Sequence, residues 1–434
     1  MKRILLFLCA ILMSVYGYSQ NKYSASPSDF GPCFFMASKS AKTVKVPVTI
    51  TNTGTVSLKS IAYIISYDGE ETPQRSKSVN SIAPGESGDV ELLFMIDSVA
   101  KKYNCTITIT KVNNTTNTSE EKSSMGSIIT ITEKPVVVPV VEEFTGTWCG
   151  WCPVGFDGME NAHTTFGDKA ALIAIHCGDV MECSDFSALN GRVSGYPSAV
   201  IDLIQGDFYP TTGGVKDKIN QQIQNKIAAA SIKVSAEWTT ATKRYINITT
   251  KTKFAYSDDN ANYAIGYALT EDGMHGTGSD WAQNNNLSGN SSYASSNPFW
   301  YNASKKVSNV KFNHVGVAAW GIEKGINGSV PTSVVAGEEQ EYTYRANVST
   351  NNLIQNKSNL KVIVMLIDRS TGNIVNAAQT TIDDYNTTAM GGVISDNIHE
   401  AERFTLDGQK ASVPQRGINI IRMSDGTVRK VLVK

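Results

Sequence analysis

Apolar and polar residues alternate through the first third of this chain. In "TVKVPVTITNTG", Val44, Val46, Val48 and Ile50 fall on one side of an extended segment, the period of a half-buried strand. "SLKSIAYIISYDGEE", "DVELLFMID" and "YNCTITITKV" repeat the pattern between Gly-, Asn- and Pro-rich turns. The spacing predicts a β-sandwich of immunoglobulin type over residues 20–134, with "NNTTNTSEEKSS" as an exposed hairpin tip or loop. The pattern changes at "EKPVVVPVVEEF". From there to residue 229 it predicts a strand that starts at Pro139 or later, a helix in "GMENAHTTFGDKA" and a buried strand in "AALIAIHCG". A further strand in "PSAVIDLI" and a long amphipathic helix in "VKDKINQQIQNKIAAA" complete an α/β unit over 135–229.

Residues 230–383 return to strand periodicity. "IKVSAEW", "RYINITTKTKF", "NYAIGYALTED", "KFNHVGVAAWG", "EYTYRANV", "LKVIVMLID" and "IVNAAQTTI" are candidate strands, enough for a second sandwich. They are interrupted by residues 272–306, rich in Asn, Ser and Gly and carrying Trp281, Tyr293, Phe299, Trp300 and Tyr301. So long an insertion is a binding loop, or a segment whose aromatics fold back onto the sandwich. The last stretch, 384–434, reads as a small β module with turns at "DGQ", "QRG" and "SDG". The fold class expected is therefore multidomain, α/β plus all-β.

The start, "MKRILLFLCAILMSVYGYSQ", changes the picture of where the chain works. Lys2 and Arg3 precede an apolar run from Ile4 to Val15, and small residues follow, the anatomy of a secretory signal over 1–19. The run is too short for a comfortable membrane span, and no later segment is apolar enough to be one. The 39 basic and 40 acidic residues nearly cancel, so charge gives no reason to expect nucleic acid or an anionic membrane as partner. With Cys9 inside the signal, Cys33, Cys105, Cys149, Cys152, Cys177 and Cys183 remain. An even set in an exported chain favours disulfides over metal. Proximity favours Cys149–Cys152 and then Cys177–Cys183, which leaves Cys33 with Cys105 by elimination. Sequence alone leaves the other pairings open.

The chemistry centres on "VVEEFTGTWCGWCPVGF". A CxxC at a helix start places the first cysteine where free N–H groups and the helix dipole favour a thiolate. Cys149 is then the nucleophile, Cys152 the resolving thiol and Pro153 a first-turn residue. Gly150 allows close approach of a substrate backbone, and Trp148 and Trp151 offer flat apolar surface. Zinc needs two more ligands, and neither a second CxxC nor an HxxxH is present; His176 and Cys177 make a poor other half. Cys177 and Cys183 form either a structural disulfide closing "GDVME" or a relay pair that exchanges with Cys149–Cys152, with His176 beside them. His163 reads as solvent-facing, and His275 and His314 have no visible nucleophile as partner. No P-loop, dinucleotide fingerprint or HExxH is present, so no cofactor is expected.

The CxxC, together with Tyr196-Pro197 downstream in "VSGYPSAVID", resembles the thioredoxin fold. That resemblance implies a cis-proline at Pro197 facing the redox pair and aligning substrate, with Tyr196 beside it. It also implies a buried acid at Glu143 that moves the resolving cysteine's proton; the alternative for Glu143 is a solvated strand end beside Glu142. "EEFTGTWCGWCPVG" is similar to the Omp28-related, thioredoxin-like outer-membrane and surface proteins of Bacteroidetes-type bacteria, strongly over 136–229 and loosely over 230–383. "TLDGQKASVPQRGINIIRMSDGTVRKVLVK" is similar to the C-terminal sorting modules of type IX secretion cargo. These resemblances imply a thioredoxin-like domain flanked by immunoglobulin-like β-sandwiches, bound for the cell surface, the outer membrane, the medium or the periplasm. They also imply thiol–disulfide exchange with exported protein thiols or disulfides and a redox partner protein. The rival expectation is a binding or surface protein that keeps the fold as scaffold and the CxxC as a staple.

Overall fold

The computed structural model describes residues 21–40, 42–385, 400–405, 408–411, 413–423 and 428–433. The expected signal segment and the turn at Ser424–Gly426 lie outside them. The alternating segment at the start forms the strand Lys42–Asn52, with Val46, Val48 and Ile50 buried. With Ala25–Pro27 and Ser87–Ile96 it makes a three-stranded antiparallel sheet. Phe30–Met36, Leu58–Tyr67, Arg75–Ile82, Lys102–Val112 and Ser123–Ile131 form most of a second sheet. The two face each other across one core that includes Leu92, Phe94, Ile107 and Ile109.

The pairing of Cys33 with Cys105 does not occur; both are free thiols. Cys33 lies opposite Ile128 and Cys105 opposite Gly126, on the two sides of Ser123–Ile131. Two strand spacings separate them, about 9–10 Å, beyond the roughly 4.4–6.8 Å that a disulfide spans between Cα atoms. Burial pushes the Cys105 thiol up to about 12 and raises that of Cys33.

The middle of the chain builds a seven-stranded mixed sheet. Its strands are β1 (Val140–Thr145), β2 (Ala171–His176), β3 (Ser198–Ile201), β4 (Tyr263–Glu271), β5 (Val315–Trp320), β6 (Leu360–Asp368) and β7 (Ile374–Thr381). The order is β3-β1-β2-β5-β4-β6-β7. β1 runs parallel to β2, from Val140 opposite Ala171 to Thr145 opposite His176, and antiparallel to β3. Every residue of β1, β2 and β3 is buried, as continuous apolar runs in a covered sheet should be. Two helices, α1 (Pro153–Phe166) and α2 (Thr212–Asn225), cover one face through Met159, Ala162, Val215 and Ile219. Phe186 and Leu189 cover the other. Thr211 starts α2 by accepting from Gly214 N–H at 3.0 Å. The helix stops at Asn225, short of the expected end, because Lys226 turns to Asp202 at 2.8 Å and Ala230 opens a strand.

All the candidate strands of 230–383 form. Ala230–Trp238, Tyr245–Phe254 and Glu339–Asn347 make a three-stranded sheet packed on β4, β5 and β6 through Trp238, Ile248, Tyr267, Val317 and Val364. The other four are β4 to β7, which continue the sheet begun at β1. The stretches 135–229 and 230–383, expected as separate units, therefore share one sheet. Glu400–Thr405, Gly417–Met423 and Val428–Val433 form a small antiparallel sheet near the end.

Candidate functional site

β1 ends at Thr145, and the chain turns through Gly146 to Cys149 before α1 begins. Pro153 occupies the first turn of α1, where its missing N–H costs nothing, and no side chain caps the helix start. Cys149 and Cys152 are joined in a disulfide with Cα atoms 5.4 Å apart. Both are buried, at 5% and 1% exposure, whereas Trp148 and Trp151 are 48% and 41% exposed. Trp148 donates from Nε1 to Cys177 O at 2.7 Å and meets the Tyr196 ring at 5.4 Å. The Tyr196–Pro197 peptide bond is cis, and Ser198 next to it pairs with Phe144 of β1. The sheet thus brings Cys149, Cys152, Trp148, Tyr196 and Pro197 to one end of β1.

Glu143 is buried, so the solvated-strand-end alternative is set aside. It lies beneath the first turns of α1, where a side-chain carbon on Gly155 would overlap its Oε1. Oε1 has no hydrogen-bond partner, and burial pushes the carboxyl up to about 8, so the group is protonated at neutral pH. A cavity of about 20 Å³, room for one water, is bordered by Glu143, and Thr145, Cys152, Glu160 and His176 share its lining. Glu142 points to the opposite face, equally buried, with neither carboxylate oxygen partnered. Burial first, and Asp202 second, raise it well above the ordinary range.

The insertion is the feature the sequence left open, and it folds onto the CxxC loop. Gln283 donates from Nε2 to Cys149 O at 2.8 Å, and Asn284 from Nδ2 to Trp148 O at 2.8 Å. The backbone N–H groups of Asn284 and Asn286 donate to Thr147 O and Gly150 O, at 2.8 and 2.7 Å. Further out, Trp300 is fully buried and donates to Asp157 of α1 at 2.9 Å, and Tyr293 packs on Trp151 at 6.0 Å. Consecutive carbonyls of the loop are thus held by one polar segment. Gly150, expected to admit substrate backbone, is approached instead by Asn286, whose side chain a Cβ would meet at 2.5 Å. The residues responsible, Gln283, Asn284 and Asn286, carried no signal in the sequence beyond their place in a polar insertion. A cleft of about 390 Å³ remains open between Trp148, Val180, Asp280 and Lys306.

Cys177 and Cys183 are free thiols, so the structural disulfide expected there is not made. Burial raises Cys177 and pushes Cys183 up to about 11, which keeps both protonated and unreactive. His176 is buried, with Nδ1 2.8 Å from Asp179 Oδ2. His163 is exposed, as expected, and its ring lies tilted at 5.0 Å from that of buried His314, which burial lowers to about 4. His275 is exposed and bonds Gly273 O. Among the described residues no cluster of three or more His, Cys, Asp or Glu suited to a metal ion occurs, and no helix is long and apolar enough to cross a membrane.

No family model and no curated protein matches the chain. Among solved structures, HBP35 of Porphyromonas gingivalis is similar over 69% of this chain and 99% of its own, at 15% identity and a TM-score of 0.44. A protein from Agrobacterium tumefaciens is similar over 57% of this chain and 95% of its own, at 12% identity and a TM-score of 0.30. A domain of the outer membrane lipoprotein Omp28 from P. gingivalis is similar over 37% of this chain and 93% of its own, at 15% identity and a TM-score of 0.20.

Proposed function

We propose that this protein is an exported thiol–disulfide oxidoreductase of Omp28-related, thioredoxin-like type. The observation that carries the reading is a disulfide at a helix start whose second cysteine shares a small cavity with a buried carboxyl that burial pushes up to about 8. Reduced Cys149 attacks a substrate disulfide, Cys152 then attacks Cys149 Sγ, and the substrate leaves as a thiol. Glu143, poised near neutral pH, moves the resolving proton. A parallel strand on one side of β1, an antiparallel strand entered through cis-Pro197 on the other and α1 at the CxxC support a thioredoxin-like unit in this stretch. The signal-like start supports export. The sorting-like end supports the cell surface or outer membrane as destination, and exported protein thiols or disulfides as substrates. The test is mechanistic trapping: with a disulfide-bonded protein substrate, reduced Cys152→Ser should accumulate a mixed disulfide through Cys149, and Cys149→Ser should accumulate none. No adduct in either variant refutes exchange.

One observation favours the rival reading, in which the disulfide is a staple in a surface or binding protein. Both sulfur-bearing residues are almost fully buried, and the loop's carbonyls are already held by the insertion. Under that reading the open cleft and the exposed Trp148 and Trp151 are the contact surface, and losing Cys149 leaves binding intact.

A further inference from the structure

The cavity behind Cys152 has a second acid–base group on its wall. His176 ends β2 on the same face as Glu143 and Thr145, and it lines the space that Cys152 and Glu143 also line. Its Nδ1 is 2.8 Å from Asp179 Oδ2, and both side chains are buried. The Asp179 carboxylate also accepts Thr147 N–H and Met181 N–H, each at 2.8 Å. Burial works against that charge, but the His176 contact and the two N–H groups prevail and hold the carboxyl below its ordinary range. An ionised acceptor opposite Nδ1 fixes the proton there, which leaves Nε2 as the ring atom that takes another. Asp179 also borders the outer cleft beside Trp148 and, through Thr147, fixes the loop that carries Cys149. The pair therefore links the chamber behind the resolving cysteine to the face where substrate would arrive.

We propose that His176, oriented by Asp179, is the base that receives the Cys152 proton during resolution while Glu143 beside it keeps its own. The proposal rests on the exchange reading above. In the mixed disulfide, Cys152 S–H gives its proton to His176 Nε2 through a water that the cavity has room for. The thiolate attacks Cys149 Sγ, the Cys149–Cys152 bond forms and the bond to substrate sulfur breaks. The departing thiolate takes its proton from solvent, and the imidazolium returns its own to water. Cys152 is oxidised with Cys149, and the substrate disulfide is reduced to two thiols. The groups facing His176 are Glu143 from β1, Cys152 just before α1, Glu160 from α1 and Asp179 from its own loop; Asn313, which donates to Glu160, also lines the cavity.

The experiment titrates the Cys152 thiol in Cys149→Ser by ultraviolet thiolate absorbance, taken as the difference from the variant lacking both cysteines. Adding His176→Gln, which keeps a donor for Asp179, should move the Cys152 midpoint up by a pH unit, about tenfold in the deprotonation equilibrium. Asp179→Asn should move it in the same direction and by less, and it decides the matter if His176→Gln does not fold. In the otherwise native protein, His176→Gln should also remove one inflection from the pH profile of substrate release while leaving mixed-disulfide formation unchanged. Midpoints that stay where they were in both variants overturn the proposal. A shifted midpoint without any exchange with protein substrates would instead sink the oxidoreductase reading and leave the coupling of His176 to Cys152 standing.

Discussion

Glu142 and Glu143 are adjacent in sequence and face opposite sides of a buried strand, each in a setting that disfavours its charge. For Glu143 the folded value of about 8 lies above the ordinary 4.5, chiefly because of burial. An acid whose value rises on folding contributes stability that is fully present below its unfolded value and is lost as pH rises through the folded one. The window here runs from about 4.5 to about 8. Glu143→Gln, neutral throughout, should gain on the native protein by a few kcal/mol between pH 5 and pH 9. Denaturant midpoints across that range test this, and parallel curves for the two proteins would contradict it. On the exchange reading, the same substitution removes a carboxyl that can accept a proton once it ionises near pH 8, and should slow resolution above that pH without preventing attack by Cys149. The residue pattern alone left both carboxyls open, since "VVEEF" fits a strand end in water as well as a covered strand; only the thioredoxin resemblance implied a buried Glu143, and nothing implied a buried Glu142. The decision came from α1 and α2, which cover the face that Glu143 occupies.

At the scale of elements, the insertion decides how the CxxC loop is held. Its donors meet the carbonyls of Thr147, Trp148, Cys149 and Gly150, which precede α1; of these, Cys149 O also accepts from Cys152 N–H at 3.3 Å within the turn. Asn286 occupies the space beside Gly150 that the sequence reading reserved for substrate. Gly150→Ala should therefore destabilise the protein by about 1–2 kcal/mol through overpacking. Asn286→Ala should relieve much of that cost when the two are combined, giving a favourable coupling in a double-mutant cycle. Thermal or urea unfolding of the four proteins measures it, and strictly additive effects would place the strain elsewhere. The aromatic content of 272–306 was visible in sequence, and so was its choice between exposure and folding back. Trp300 folds back, but onto Asp157 and Phe156 of α1 as well as into the sandwich core.

For the whole molecule, periodicity located most strands, since a period of two is a local property. It passed over Phe30–Met36, where Gly31 and Pro32 break the pattern, and Ser123–Ile131, whose first residues are polar. Pairing is not local. Nothing in residues 140–201 or 263–381 announces that β2 will meet β5 through Ala174 and Val315, which joins the CxxC region and the later strands in one sheet. The cysteine pairings failed for the same reason: elimination assumed that every thiol has a partner, whereas the strand Ser123–Ile131 stands between Cys33 and Cys105. The site was more legible. The thioredoxin resemblance implies that Cys149, Cys152 and Pro197 lie together, and the structure places them with Trp148 and Tyr196 at one end of β1, where the chain turns into α1 and β3 pairs with β1. The braces from Gln283 to Asn286 and the His176–Asp179 pair became visible only in three dimensions. The central claim is that this end of the sheet exchanges disulfides, and equilibration of the mature protein in graded glutathione buffers, with Cys149→Ser as control, tests it most directly. The account predicts a reduction potential for Cys149–Cys152 between about −120 and −270 mV, the span of exchange catalysts. A pair that stays closed well below about −300 mV would be a structural staple and would contradict it.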